Sequence, residues 1–118
     1  MFPDLEILFE ADKAKVPWIG SQRIDIYIPK INMAIELMGQ QHYEEIPYFK
    51  NGSSLEIIQE RDNRKRQKCR DNNCTLVELK YYYTKQEFDN VCLEVTKKLE
   101  ELEEKYYDEE TSQREKDE

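Results

Sequence analysis

The chain has 118 residues, of which 38% are hydrophobic and 37% charged, and its formal net charge is −8 at pH 7. This length suits one domain with a modest core. The sequence contains no apolar run of about 20 residues and no basic, then apolar leader. We therefore expect a soluble cytoplasmic protein without a membrane-spanning helix or a signal peptide.

The acidic charge is concentrated near the end of the chain. Residues 1–80 contain 12 basic and 13 acidic residues, whereas residues 81–118 contain 6 basic and 13 acidic residues. A net charge of −8 taken alone argues against a nucleic-acid partner. However, the first part of the chain is close to neutral and includes a basic run from Arg61 to Arg70.

The cysteines indicate reduced structural thiols. Cys69, Cys74 and Cys92 are odd in number and include no Cys-x-x-Cys pair, and the chain has a single histidine. This set predicts neither a disulfide framework nor a zinc site.

The first predicted elements are strands. Residues 5–10 form a short apolar run after a Pro-Asp turn, and residues 11–20 form a connection in which Trp18 covers an edge of the core. Apolar residues then alternate with other residues over Ile24–Ile28 and again over Met33–Met38, which is typical of strands. Residues 29–32, beginning with Pro29, close the two runs into a hairpin.

The hairpin register predicts a pair of carboxylates. If Ile28 faces Met33 across the turn, Asp25 lies opposite Glu36 on the face that does not carry the isoleucines. Directly opposed residues have Cβ atoms about 4.5–5.5 Å apart, a spacing at which two like charges repel unless a cation lies between them. A hard divalent metal ion suits this position.

A basic helix is predicted over residues 55–72, after an irregular loop over residues 39–54 and with Ser53 or Ser54 as its N-cap. One helical face carries a stripe that is apolar at both ends: Leu55, Ile58, Asp62, Lys65 and Cys69. Asp62 and Lys65 must therefore point towards whatever this face packs against, where unpaired charge is costly. They either pair with each other or reach the carboxylates of the hairpin.

Residues 75–81 predict a last strand that runs parallel to a hairpin strand, because a crossover helix precedes it. An amphipathic helix is predicted over residues 85–107, and residues 108–118, which lack an apolar anchor, are expected to be a disordered acidic tail. The predicted fold is α/β (α+β): a mixed central sheet of a strand, a hairpin, a crossover helix and a strand, with a C-terminal helix. Residues 1–107 are predicted to form a single domain.

Three spaced motifs carry a family resemblance. They are R-x-D-I-Y-I-P from Arg23, A-I-E-x-x-G-x-Q-H-Y from Ala34 and R-D-x-x-K-x-x-x-C from Arg61, followed by a hydrophobic strand. Together they resemble the PD-(D/E)XK, or restriction-endonuclease-like, nuclease superfamily. The nearest branch contains very-short-patch-repair endonucleases and small phage and bacterial nucleases. The resemblance covers residues 5–83.

The resemblance implies an Mg²⁺-dependent endodeoxyribonuclease, with Mn²⁺ as an alternative ion. In that family an Asp and a Glu on neighbouring hairpin strands bind the metal, and Asp25 and Glu36 match them, with the backbone carbonyl of Leu37 as a further ligand. The bound ion polarises the phosphoryl oxygen and activates water. The resemblance further implies that three residues orient water or steady the phosphate: His42, Asp62 and Lys65. Substrate DNA is expected to contact Gln41, Arg61, Arg64 and Lys68.

Two departures from the family pattern affect these expectations. The family's lysine normally lies two residues after the Glu, where this chain has Met38, and a thioether cannot donate a hydrogen bond. Arg23, opposite Met38 in the predicted register, or Lys65 would supply the missing positive charge; otherwise the site is impaired. The superfamily's usual N-terminal helix is also missing from the predicted elements, so it is absent, supplied by another chain or removed from a longer protein.

Two functions from different classes follow. The first is a metal-dependent nuclease acting on DNA. The second is a catalytically impaired binding or regulatory module of the same fold, such as a phage-type inhibitor, acting through protein or nucleic-acid contacts. The C-terminal helix is either a solubilising surface or a homodimer interface along Val91, Val95, Leu99 and Leu102. A larger protein partner is expected to bind through this helix or in place of the missing N-terminal helix.

Overall fold

A computed structural model of the protein describes residues 3–43 and 55–117, without the side chains of Gln41 and of residues 106–117. The chain divides into two compact units, Met1–Tyr83 and Thr84–Glu118, which are described separately. Within the described residues, neither helix combines the length and the apolar character needed to cross a membrane. The prediction of a single domain over residues 1–107 stays a prediction.

The first unit is built on a four-stranded mixed sheet of order β1-β2-β3-β4. The strands are β1 (Leu8–Ala11), β2 (Ile24–Ile28), β3 (Met33–Met38) and β4 (Thr75–Lys80), and helix α1 (Leu55–Asp71) connects β3 to β4. The first two pairings are antiparallel and β3 pairs with β4 in parallel. The predicted α+β layout is confirmed, although β1 starts and ends later than residues 5–10.

The hairpin has the predicted register. Ile28 pairs with Met33 and Ile26 with Ile35. The turn is a single 3-10 turn, Pro29–Ile31, followed by Asn32 in the left-handed conformation with φ 48°. Asn tolerates this conformation better than most side chains do, so the sequence fixes both the position and the shape of the turn.

Asn32 also ties the hairpin to the connection between α1 and β4. Its side-chain amide donates to the Asn72 carbonyl oxygen (3.0 Å), and its own carbonyl oxygen accepts from the Thr75 backbone N–H (3.1 Å). The Tyr27 hydroxyl donates to Asn32 Oδ1 (2.6 Å). These bonds hold the start of β4 beside the start of β3, which sets the parallel register.

The core extends over the sheet face that also carries the carboxylates. Its main cluster consists of Ala11, Val16, Ile19, Ile24, Tyr27, Ala34, Cys69 and Cys74, with Trp18 packed against it. The alternation of the hairpin predicts one buried face, that of the isoleucines. In the structure Tyr27 and Ala34, on the other face, are buried as well, because α1 covers that face through Cys69. All three cysteines are free thiols.

The second unit is helix α2 (Lys85–Asp117). Its first turn is capped by Thr84, whose Oγ1 accepts the Glu87 backbone N–H (3.1 Å). The helix was predicted to end at residue 107, but it continues through the stretch expected to be disordered. That prediction considered only the lack of apolar anchors, whereas Glu, Lys, Gln and Arg are themselves strong helix formers.

Candidate active site

The carboxylates of Asp25 and Glu36 each accept a hydrogen bond from the backbone of the opposite strand. The Asp25 backbone N–H donates to Glu36 Oε2 (2.9 Å), and the Leu37 backbone N–H donates to Asp25 Oδ2 (2.8 Å). The two carboxyl groups therefore lie side by side on the same face of the hairpin, at the end of that face away from the turn. This is the arrangement that the period-2 pattern predicts.

Helix α1 closes over this pair through Lys65. Its ammonium group donates a hydrogen bond to Glu36 Oε1, and Glu36 itself is only 5% exposed. Of the two predicted arrangements for the charged stripe, Lys65 adopts the one that reaches the hairpin. Asp62 pairs instead with His42, so the stripe supplies two separate contacts rather than an internal ion pair.

Glu36 is poised between its charged and neutral forms. Burial raises its pKa from 4.5 to about 7, the Lys65 ammonium opposes that rise, and the neighbouring Asp25 carboxyl adds to it. A buried carboxyl group of this kind is stabilised either by a proton or by an adjacent cation. The electrostatics of the pair thus favour a positive charge between or beside the two carboxyl groups.

His42 lies in a single 3-10 turn, Gln40–His42, directly after β3. Its Nδ1 is 2.7 Å from Asp62 Oδ2, and its carbonyl oxygen accepts a hydrogen bond from the Gln59 amide (3.4 Å). Both contacts anchor the turn to α1. The Asp62 carboxylate beside Nδ1 favours the tautomer of His42 that carries its proton on Nδ1. In that tautomer Nε2 can accept a proton.

A cleft of about 590 Å³ lies between the hairpin and α1. Its lining includes Asp25, His42, Asp62 and Lys65, together with four further basic residues: Arg23, Arg61, Arg64 and Lys68. Five basic side chains thus face two acidic ones, so the cleft is positive although the whole chain is negative. Such a cleft attracts anions.

The predicted substrate-binding residues differ in how they are held. Lys68 lines the cleft, but its ammonium already donates to the Ile19 carbonyl oxygen (2.9 Å) and to Gln22 Oε1 (2.8 Å). Arg64 pairs with Glu60 on the exposed side of α1 (2.7 Å). The side chain of Gln41 lies outside the described residues, as do residues 44–54 of the predicted loop and the predicted caps Ser53 and Ser54.

Gln22 is a cleft residue that sequence analysis missed. Its amide nitrogen donates to the Arg61 carbonyl oxygen (2.9 Å) while its oxygen accepts from Lys68. It therefore clamps α1 to the segment before β2. Gln22 lies in an irregular connection, where no periodicity marks it, so no sequence signal points to this role.

Met38 is buried beside Glu36, Asp62 and Lys65, on the same face of the sheet. Arg23, its predicted partner, lies just before the first residue of β2 and is exposed. The positive charge that contacts Glu36 is therefore that of Lys65, which comes from the helix rather than from the strand.

The resemblance implies a divalent metal ion at the two carboxylates. Within the described residues, no group of three or more His, Cys, Asp or Glu side chains could hold a metal ion. Mg²⁺, however, commonly uses one or two carboxylates and keeps several waters. Asp25 and Glu36 fit that requirement, with the backbone of Leu37 alongside.

Comparison with known proteins identifies a viral relative. A stretch of 59 residues, 49% of this chain, is 48% identical to "Uncharacterized protein 307L" of Invertebrate iridescent virus 6. The matched stretch spans 30% of that relative, whose name states no activity. No family model and no solved structure matches the chain.

Proposed function

We propose that the protein is a metal-dependent nuclease that hydrolyses DNA phosphodiester bonds. The observation that carries the proposal is that Asp25 and Lys65, which line a positively charged cleft, both contact the buried carboxylate of Glu36. A phosphodiester needs a positive environment for its charge and an activated water as nucleophile. The resemblance of the three sequence motifs to PD-(D/E)XK nucleases agrees with this proposal.

Asp25 and Glu36 would hold a Mg²⁺ or Mn²⁺ ion, with the Leu37 carbonyl as a further ligand. When bound, such an ion polarises the phosphoryl oxygen and lowers the pKa of a water. Lys65 now occupies one oxygen of Glu36. Its ammonium group neutralises Glu36 and would supply from the helix the positive charge that Met38 lacks.

His42 is proposed to accept the proton of the attacking water. Asp62 holds Nδ1 at 2.7 Å, which leaves Nε2 as the proton acceptor. Arg61, Arg64 and Arg23 line the same cleft and would bind the phosphates that flank the reacting one. Lys68 would contribute mainly charge, since two of its three donors are already used.

A second function is supported by the contacts of Glu36. Both of its oxygens already accept hydrogen bonds, from Asp25 and from Lys65, and Met38 fills the position of the family's lysine. A site closed in this way suits a non-catalytic module that binds nucleic acid or protein through the same positive cleft.

A plasmid-nicking assay tests the choice between these functions. Supercoiled DNA is incubated with the purified protein in Mg²⁺, in Mn²⁺ and in EDTA, and the assay is repeated with Asp25→Ala and Glu36→Ala. Asp71→Ala is the matched control, since this carboxylate is exposed on α1 and accepts a hydrogen bond from the neighbouring Gln67. Nicking that requires the metal and both site carboxylates supports the nuclease, and its absence supports the binding module.

A further inference from the structure

An exposed group of tyrosines follows the turn that carries His42 and the end of β4. It consists of Tyr43, Tyr81 and Tyr82, here called the tyrosine patch, which are 37%, 47% and 59% exposed. The ring centroids of Tyr43 and Tyr81 are 6.1 Å apart and those of Tyr81 and Tyr82 are 4.9 Å apart. The Lys80 ammonium lies 5.6 Å from the centroid of the Tyr82 ring. Three aromatic rings and a cation thus form one continuous surface.

The chain order places this patch at the carboxylate end of the sheet. Tyr43 directly follows His42, and Tyr81 and Tyr82 directly follow the last residue of β4, Lys80. Lys80 pairs with Met38, two residues beyond Glu36. The patch is therefore continuous with the strand ends that carry the proposed catalytic residues.

An apolar notch adjoins the patch. It has a volume of about 160 Å³ and is lined by Leu37, Met38, Gly39, Leu79, Lys80, Tyr81 and Tyr83. Leu37 is 50% exposed at this point, although it directly follows the buried Glu36. The sheet end thus presents a small hydrophobic recess, and Leu37 and Leu79 in its lining point to the sheet face opposite the carboxylates, because side chains alternate along a strand.

We infer that the tyrosine patch binds unpaired nucleobases. A nucleotide matches this surface, because its base can stack on aromatic side chains while a cation attracts its phosphate. Bases inside a duplex are already stacked on both faces and cannot use it. The inference rests on the proposed function in taking the ligand of the cleft to be nucleic acid, and it names the substrate class: strands with a single-stranded segment beside the reacting phosphate.

Binding in EDTA tests this inference separately from cleavage. Fluorescence anisotropy compares a single strand of about 12 nucleotides, within the length that such surfaces cover, with its blunt duplex. Single-strand binding is expected to be at least tenfold tighter, to weaken roughly tenfold in Tyr81→Ala and Tyr82→Ala, and to be retained in the matching Phe variants, which keep the ring. Phe9→Ala is the control, since Phe9 is 70% exposed on β1 at the opposite edge of the sheet.

A second measurement needs no variant. Irradiation of the wild-type protein with an iodouracil-substituted single strand should give an adduct that peptide mass spectrometry maps to Tyr43, Tyr81 or Tyr82. Equal affinity for single strand and duplex, or adducts mapped only elsewhere, would overturn the inference even if the protein cuts DNA. Conversely, a protein that binds as expected but never cleaves would contradict the nuclease and leave base stacking intact. Binding of neither nucleic acid would overturn both.

Discussion

Lys65 and Glu36 are 29 residues apart in sequence, yet the ammonium group of one donates a hydrogen bond to the carboxylate of the other. The contact joins α1 to β3 at the edge of the cleft. It sets the charge of the proposed site and also contributes to the stability of the fold. Unfolding measurements report the second role and cleavage rates report the first.

Protein stability should fall as the pH rises from about 4.5 to about 7. The folded-state pKa of Glu36 is raised from 4.5 to about 7, mainly by burial, so the folded protein binds more protons than the unfolded chain within this window. This contribution is fully present below the window and lost above it, at a cost on the order of 3 kcal/mol. Urea unfolding across this range should show the slope in the wild type and a weaker slope in Glu36→Gln. Identical slopes would be the contrary result.

Lys65→Met should destabilise the protein strongly at pH 8. The buried Glu36 carboxylate then loses its cationic partner, a change that typically costs about 3–5 kcal/mol. Arg64→Met on the same helix removes an exposed pair with Glu60 and should cost less than about 1 kcal/mol. Urea unfolding of both variants measures the difference. Losses of similar size would mean that Lys65 contributes no more than a surface ion pair.

A lysine at position 38 should compensate for the loss of Lys65. Met38 is buried beside Glu36 and Lys65, and its side chain is close in length to lysine. We expect Lys65→Met to lower metal-dependent cleavage by about 100-fold and the double variant with Met38→Lys to recover part of it. A double variant as inactive as Lys65→Met would argue that the charge must come from the helix.

His42→Ala should lower kcat by about 100-fold or more if His42 is the general base. Asp62→Asn should lower kcat less, because the imidazole remains but loses the carboxylate that orients it at 2.7 Å. Neither change should raise KM, since neither side chain is proposed to hold substrate in the ground state. A rise in KM with kcat unchanged would instead assign both residues to binding.

The sequence predicted the hairpin and its carboxylates because side chains in a strand alternate with period 2, so one assumed pair sets the whole register. Helical periodicity likewise placed Asp62 and Lys65 on the inner face of α1. It could not distinguish their partners, which depend on how far α1 lies from β3 and from the turn that carries His42.

Other features depend on tertiary contacts that leave no local pattern. Gln22 links Lys68 to the Arg61 carbonyl oxygen from an irregular segment. Tyr27 and Ala34 are buried on the face opposite the isoleucines because α1 covers it. The tyrosine patch did have a local signal, the run Tyr81 to Tyr83 that begins at the last residue of a predicted strand, but its contact with Tyr43 appears only in the folded chain.

The central claim, that Asp25 and Glu36 together hold one divalent ion, is tested most directly by calorimetric titration of Mg²⁺ or Mn²⁺ into the metal-free protein. One site is expected in the wild type and in Asp71→Asn, and no site in Asp25→Asn or in Glu36→Gln. A site of equal affinity in all four proteins, or no site in the wild type, would contradict it.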